Sequence, residues 1–253
     1  MASLESAGVI LRLINQLKRQ VTVTDLVDHL AMPKSSASRL LRQMADEGFL
    51  ERDALTRAFG PALMILELSR LVRSTTQLFP LLQKALQGVC LRSGHTGYIS
   101  VLDGTEVLVL FVQSGSHPLQ LMTYPGHRSP AWATSTGRAL LALETDDAVR
   151  QRFGADLPVV SANAPADVDA LLARLADVRS QGYAHALNES IPGVGSVSCA
   201  VSDPATRERL AFCLSFPSGG ADAEAVGPLA ADLMAEARSV GRLVGDPAWS
   251  SPP

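Results

Sequence analysis

The chain has 253 residues, 47% hydrophobic and 19% charged, with 22 lysines and arginines against 25 aspartates and glutamates. That length suits one large domain or two smaller ones, and the apolar fraction excludes wholesale disorder. A formal net charge of −3 gives no global electrostatic case for nucleic-acid binding.

Three cysteines, Cys90, Cys199 and Cys213, are too few for a disulfide framework and point to a reducing compartment. No Cys-x-x-Cys, His-x-His or His-Glu-x-x-His spacing occurs. Cys90 and His95 are the closest such pair, and two ligands do not make a zinc site. No metal and no cofactor is expected. Glu5 falls early in an N-terminus without a basic region or apolar core, against a signal peptide. The longest strongly apolar stretch, Val107 to Val112, is far short of the roughly 20 residues of a membrane helix. A soluble, cytoplasmic protein without a membrane partner is expected.

In chain order, Val9, Leu13, Ile14 and Leu17 fall at helical spacing. Thr24 is a plausible N-cap for a short second helix through Leu30, and Ala31-Met32-Pro33 breaks it. A third helix runs from Lys34 to Glu47 and stops at Gly48. Two short strands and a turn follow between Phe49 and Phe59. Gly60-Pro61 punctuates, and a further helix is expected from Ala62 to Thr76. Beyond Gly94, strands are expected at Tyr98–Leu102, Val107–Val112 and Leu119–Tyr124, with Asp103-Gly104 as a hairpin turn. Helices at Thr136–Leu143 and Ala166–Ser180 precede strands near Gly195–Ser202 and Leu210–Phe216, joined by the turn Asp203-Pro204-Ala205-Thr206. A last helix sets Val226, Leu229, Leu233, Ala237, Val240 and Val244 on one face. The tail from residue 247 to 253 is rich in proline and is expected to be flexible. Strands and helices mix without βαβ alternation, which gives an α+β reading with an antiparallel sheet.

The third helix carries the most information. Ala37, Leu40, Leu41 and Met44 form one stripe at 100° per residue, facing a core. Ser35, Ser38, Arg39 and Arg42 fall opposite, a set of hydroxyls and guanidiniums. Such groups donate to phosphates and base edges, and arginine reads guanine bidentately. A plain solvated surface has the same composition, but helix, tight turn, helix and wing in this order is what helix-turn-helix recognition requires. Arg52 and Arg57 would then be wing cations. Residues 1–60 carry 8 basic and 7 acidic side chains, and residues 61–253 carry 14 and 18. The charge therefore divides in the expected direction.

The run Pro33-Lys34-Ser35-Ser36-Ala37-Ser38-Arg39-Leu40-Leu41, followed by Glu47-Gly48-Phe49-Leu50 and Phe59-Gly60, resembles the N-terminal winged helix of the IclR family of bacterial transcriptional regulators. Two further segments resemble the same family in order. One is Ala133-Thr134-Ser135-Thr136-Gly137-Arg138-Ala139-Leu140-Leu141-Ala142. The other runs from Gly182-Tyr183 through Asn188-Glu189, Pro192-Gly193-Val194 and Ser196-Val197-Ser198 to Leu214-Ser215 and Pro217.

The resemblance implies a winged helix-turn-helix domain at 1–60, a linker helix at 61–76 and a GAF/PAS-like effector domain at 77–246. It implies a ligand-responsive regulator that binds double-stranded DNA at a palindromic operator as a homodimer or dimer of dimers. Thr24, Lys34, Ser35, Ser36, Ser38, Arg39, Arg42, Arg52 and Arg57 would face DNA. Trp132, Ser135, Thr136, Asn188, Ser196, Ser198, Cys213 and Ser215 would face a small-molecule effector, an organic acid or an aromatic compound. The linker leucines are more numerous than one narrow stripe needs, which favours packing on a partner chain. In departures from the family pattern, Arg138 replaces a usual lysine, Ala186 stands where some members carry an acid, and Ser196 stands where some have cysteine. Fewer acids and a nearby Trp132 suit an aromatic or apolar-bodied ligand.

Two other readings stay open. One is a sensing module without DNA binding. The other is a small hydrolase, since Ser196, His185 and Asp203 could be imagined as a triad. No Gly-x-Ser-x-Gly elbow, dinucleotide fingerprint or Walker loop supports catalysis, and a non-enzyme is expected.

Overall fold

The apolar stripe expected on the third helix is realised as the core of an N-terminal unit. The fold is that of a computed structural model, in which residues 3–69, 71, 76–118, 123–219 and 222–250 are described. The chain divides into two compact units, residues 1–75 and 76–253. In the first, α1 (Ser3–Leu17), α2 (Val23–Leu30) and α3 (Lys34–Asp46) lead into β1 (Leu50–Arg52) and β2 (Phe59–Pro61). Ile10, Leu13, Leu26, Ala37, Leu41, Met44, Leu50 and Phe59 close one core. The two strands pair antiparallel, and Val21 bridges to Phe59 through two backbone hydrogen bonds of 2.9 and 2.7 Å. The wing is thereby tied to the segment that starts α2.

The cap of α2 corrects the sequence expectation. Thr22, not Thr24, is the N-cap: its hydroxyl accepts from the Asp25 amide, while the Asp25 carboxylate accepts from the Thr22 amide. Threonine followed three residues later by a carboxylate closes a reciprocal box, which a lone Thr24 cap cannot. Thr24 lies exposed in the helix's first turn. Ala31 takes a left-handed conformation, φ 51°, that turns the chain into α3.

The helix expected from Ala62 to Thr76 is shorter. α4 covers Leu63–Ser69, and Leu71 is a turn residue. Residues 70 and 72–75 of that expectation lie outside the described residues. Leu63, Leu66 and Leu68 on α4, with Leu71 beyond it, are exposed.

In the second unit, α5 (Leu78–Ser93) precedes a six-stranded antiparallel sheet in the order β5-β4-β3-β8-β7-β6. Its strands are β3 (Thr96–Asp103), β4 (Glu106–Gln113), β5 (Arg128–Pro130), β6 (Ala184–Leu187), β7 (Val194–Asp203) and β8 (Glu208–Pro217). Sequence reading missed α5, β6 and a helix α7 (Asp146–Phe153). It placed a strand at Leu119–Tyr124, where 119–122 lie outside the described residues and Thr123 and Tyr124 are not in a strand. The strand that pairs with β4 is β5, a few residues later.

The sheet has two chemically different faces, a consequence of period-two alternation. Ile99, Val197, Cys199, Val201, Leu210, Phe212, Leu214 and Phe216 pack with α5 and α9 (Asp222–Val244) in a large apolar core. The alternate positions Ser100, Ser196, Ser198, Ser215, Ala184, Ala186, Ala200 and Ala211 are small or hydroxylic and buried. That small-residue face admits α6 (Ser135–Leu141), all seven residues of which are buried, with α8 (Val168–Gln181) behind it. At Gly137 an added Cβ would come within 2.1 Å of the Ala131 carbonyl oxygen, so only glycine allows this approach.

The tail expected to be flexible is pinned over residues 247–250. They form α10 (Pro247–Ser250), and Trp249 is buried with its indole donating to the Ala200 carbonyl at 2.9 Å. Asp246 accepts from the Ser202 amide at 2.7 Å and from the Ala248 amide at 3.0 Å. Proline composition suggested looseness, but one large aromatic on a sheet edge outweighs it. Gly241 makes the space, since a Cβ there would lie 2.5 Å from that of Trp249.

Candidate functional site

On the first unit, α3 presents the face that sequence reading singled out. Ala37, Leu41 and Met44 are buried, while Lys34, Ser35, Arg39 and Arg42 are exposed and Ser36 and Ser38 half-buried. Pro33 stands at the N-cap without a side-chain cap, leaving the first amides of α3 open to an anion. Arg42 lies back on Ser38, its Nε 3.2 Å from the carbonyl and one Nη 3.3 Å from the hydroxyl. At the wing, Asp53 accepts from the Leu55 and Thr56 amides at 2.9 and 2.7 Å, which holds the tip. Arg52 and Arg57 are exposed on it; the Arg52 guanidinium lies 5.6 Å over the Phe59 ring. α2 is braced from outside by Arg19, which grips Asp25 at 2.6 and 3.0 Å. That guanidinium holds the Asp25 carboxyl well below the usual carboxylate range.

On the second unit, a cavity of about 90 Å³ opens between β3, β4, the start of α6 and the loop after β6. A bulge in the β3–β4 pairing, between Ile99 and Ser100, sits at its wall. Tyr98, Ser100, Val107 and Val109 come from these two strands, Thr134 and Thr136 from the entry to α6, and Glu189, Ser190 and Ile191 from the loop. His127, with its Nε2 3.1 Å from the Ser129 hydroxyl, closes another side.

Of the residues expected to face an effector, Thr136 and Ser196 line this cavity. Ser135 and Ser198 lie beneath it: the Ser135 hydroxyl is 2.7 Å from that of Ser196 and 2.6 Å from that of Ser198. Trp132 does not line it. Its ring packs edge-on against Phe153, 5.6 Å between centroids, within the core under α6. Its buried indole nitrogen has no partner among the described residues. Cys213 and Ser215 sit beside Tyr98 on β8, behind the lining. Asn188 is a loop brace with φ 56°, its Oδ1 accepting from the Gly193 amide and the Ser218 hydroxyl at 2.7 and 2.6 Å.

Sequence reading missed the residues that hold the wall. Arg138 is 1% exposed and Glu189 4%, and the two side chains meet in a bidentate ion pair. Arg138 also donates to the carbonyls of Trp132 and His185. The pair joins α6 to the cavity loop across 51 positions of sequence. Burial, with the Arg138 charge, lowers the His185 imidazole below its ordinary range. Ser100, also missed, is fully buried, and its hydroxyl has no hydrogen-bond partner among the described residues.

The geometry removes the imagined triad. Ser196 bonds Ser135, while the Asp203 carboxylate is taken by Ala205 and Thr206 at the far end of the same strand. Seven residues of strand separate them by about 23 Å. The cysteines offer no nucleophile: burial pushes the Cys90 thiol up to about 11, and those of Cys199 and Cys213 higher still. Among the described residues no His, Cys, Asp or Glu cluster could hold a metal, and no helix is long and apolar enough to cross a membrane.

Comparison with known proteins accords with this two-part construction. Residues 3–54 match the IclR helix-turn-helix domain, and residues 71–242 match the bacterial transcriptional regulator IclR C-terminal family. The HTH-type transcriptional regulator KdgR of Escherichia coli (strain K12) is 23% identical over 90% of this chain and 87% of its own length. The crystal structure of an IclR transcriptional regulator from Alicyclobacillus acidocaldarius superposes with TM-score 0.83 at 22% identity over 99% of both chains. An IclR homologue from Microbacterium hydrocarbonoxydans, complexed with 4-hydroxybenzoate, superposes with TM-score 0.76 at 22% identity over 92% of this chain and 98% of its own. With both family matches in chain order on the two units that the fold separates, this chain belongs to the IclR family of bacterial transcriptional regulators.

Proposed function

We propose that the chain acts in the cytoplasm as a non-catalytic regulator, reading a palindromic operator through α3 and the wing of two or more copies. The single observation that carries this is the exposed α3 face of Lys34, Ser35, Arg39 and Arg42 above an uncapped helix start, with the face's carboxylate, Asp46, kept to the far end of the helix. One winged helix meets too few bases for useful specificity, and two-fold pairing doubles the contacts. The exposed leucines of α4 supply an apolar surface for such pairing. The cavity of the second unit is the effector site. A relative holding 4-hydroxybenzoate supports that reading, as does the buried, unpartnered Ser100 hydroxyl at the lining.

Arg39 and Arg42 are tested together by a salt-dependent mobility shift on the DNA upstream of the protein's own gene. Arg39→Ala with Arg42→Ala should weaken binding by about 10- to 1,000-fold and make the salt dependence shallower by about two units of log–log slope. Unchanged affinity in the double variant would remove α3 as the reading element.

A further inference from the structure

The effector cavity is unusual in its charge. Among its described lining residues there is no lysine and no arginine. Its one carboxylate, Glu189, is already held by the buried Arg138, whose two Nη groups also donate to the Trp132 and His185 carbonyls. The Tyr98 phenol is kept neutral by burial. His127 also lines the cavity, its Nε2 against the Ser129 hydroxyl.

Set in this wall is Ser100. Its hydroxyl is fully buried and unpartnered, and its cross-strand neighbour is the apolar Val109. A buried hydroxyl in that state gains from any ligand group that completes its hydrogen bond. A carboxylate entering the same space would find no cationic side chain and would approach Glu189, a doubly unfavourable exchange for its hydration.

We infer that the effector is uncharged, an apolar-bodied molecule bearing one hydroxyl or carbonyl group that bonds to Ser100. This rests on the reading of the cavity as the effector site, and it departs from the organic-acid class that family resemblance allows.

The test is thermal unfolding and calorimetry of the full-length protein at pH 8. The probes are matched by size: benzyl alcohol and acetophenone against benzoate, and butan-1-ol against butyrate. The neutral probes should raise the melting temperature, and the carboxylates at equal concentration should not. Ser100→Ala should melt cooperatively yet bind the neutral probes roughly tenfold more weakly. Glu189→Gln, which leaves Arg138 without its counter-charge, should gain affinity for benzoate. Carboxylate binding equal to or tighter than that of the alcohols in the unmodified protein would overturn the inference, as would unchanged alcohol binding by Ser100→Ala. Binding of neither class would instead overturn the cavity as the effector site, and the inference with it.

Discussion

At the scale of single residues, the second unit turns on a few polar side chains placed where apolar ones would be cheaper to bury. Arg138 and Glu189 form an ion pair almost out of reach of water. Such pairs add little net stability when intact but are costly to break, because the remaining charge is stranded. Arg138→Met leaves the Glu189 carboxylate and two carbonyls without their donor. It should cost about 3–5 kcal/mol, and the double change Arg138→Met with Glu189→Met should recover part of that loss. Urea denaturation midpoints of the two variants check the order. None of this was readable along the chain. Arg138 stood out in the sequence as a departure from a family lysine, but its partner lies 51 positions away, and only the fold reveals the bond. Ser100 was hidden differently. It reads as one polar residue in an apolar strand, and only the bulge and the pairing show that it faces a cavity.

At the scale of elements, long apolar stripes were legible, whereas the cap of α2 and several short or interrupted elements were not. The core faces of α3 and α9 follow from periodicity alone, and the two wing strands from the composition and turn between Phe49 and Phe59. α5 carries Leu78, Leu82, Leu86 and Val89 at helical spacing, but Pro80 and Gly88 disguise it. β6 is four residues of Ala-His-Ala-Leu, held by β7 and not by its own propensity. The start of α2 offers a pH test. The Asp25 carboxyl is depressed in the folded chain by Arg19 and then by Thr22, so its contribution is present at neutral pH and is lost as pH falls below the ordinary carboxylate range near 4. Arg19 is half exposed, so solvent screening keeps the pair's contribution small. Arg19→Ala should therefore be slightly less stable than the parent at pH 7. The gap should narrow as the pH falls below about 4, measured by thermal unfolding across that range. At the other end of the chain, Trp249→Ala removes the one large anchor of α10 and should cost about 3 kcal/mol in denaturant unfolding. A change within experimental error would mean that the tail is loose after all.

At the scale of the whole molecule, a net charge of −3 averages two unlike parts. The slightly basic first sixty residues carry the proposed reading helix, and the acidic remainder carries a cavity with no lysine or arginine among its described lining residues. Composition alone argued mildly against DNA binding, and the exposed face of α3 outweighs it because affinity depends on local rather than total charge. The division into two units also separates what each can be tested for: the first for sequence reading, the second for ligand chemistry. The most direct measurement is selection of binding sites by the full-length protein from a pool of random duplex DNA. Enrichment of an inverted repeat whose half-site centres lie about 10 base pairs, or a multiple of that, apart is expected, with no enrichment when Arg39→Ala and Arg42→Ala are combined. A pool that stays random, or that yields the same motif with the double variant, would contradict this expectation.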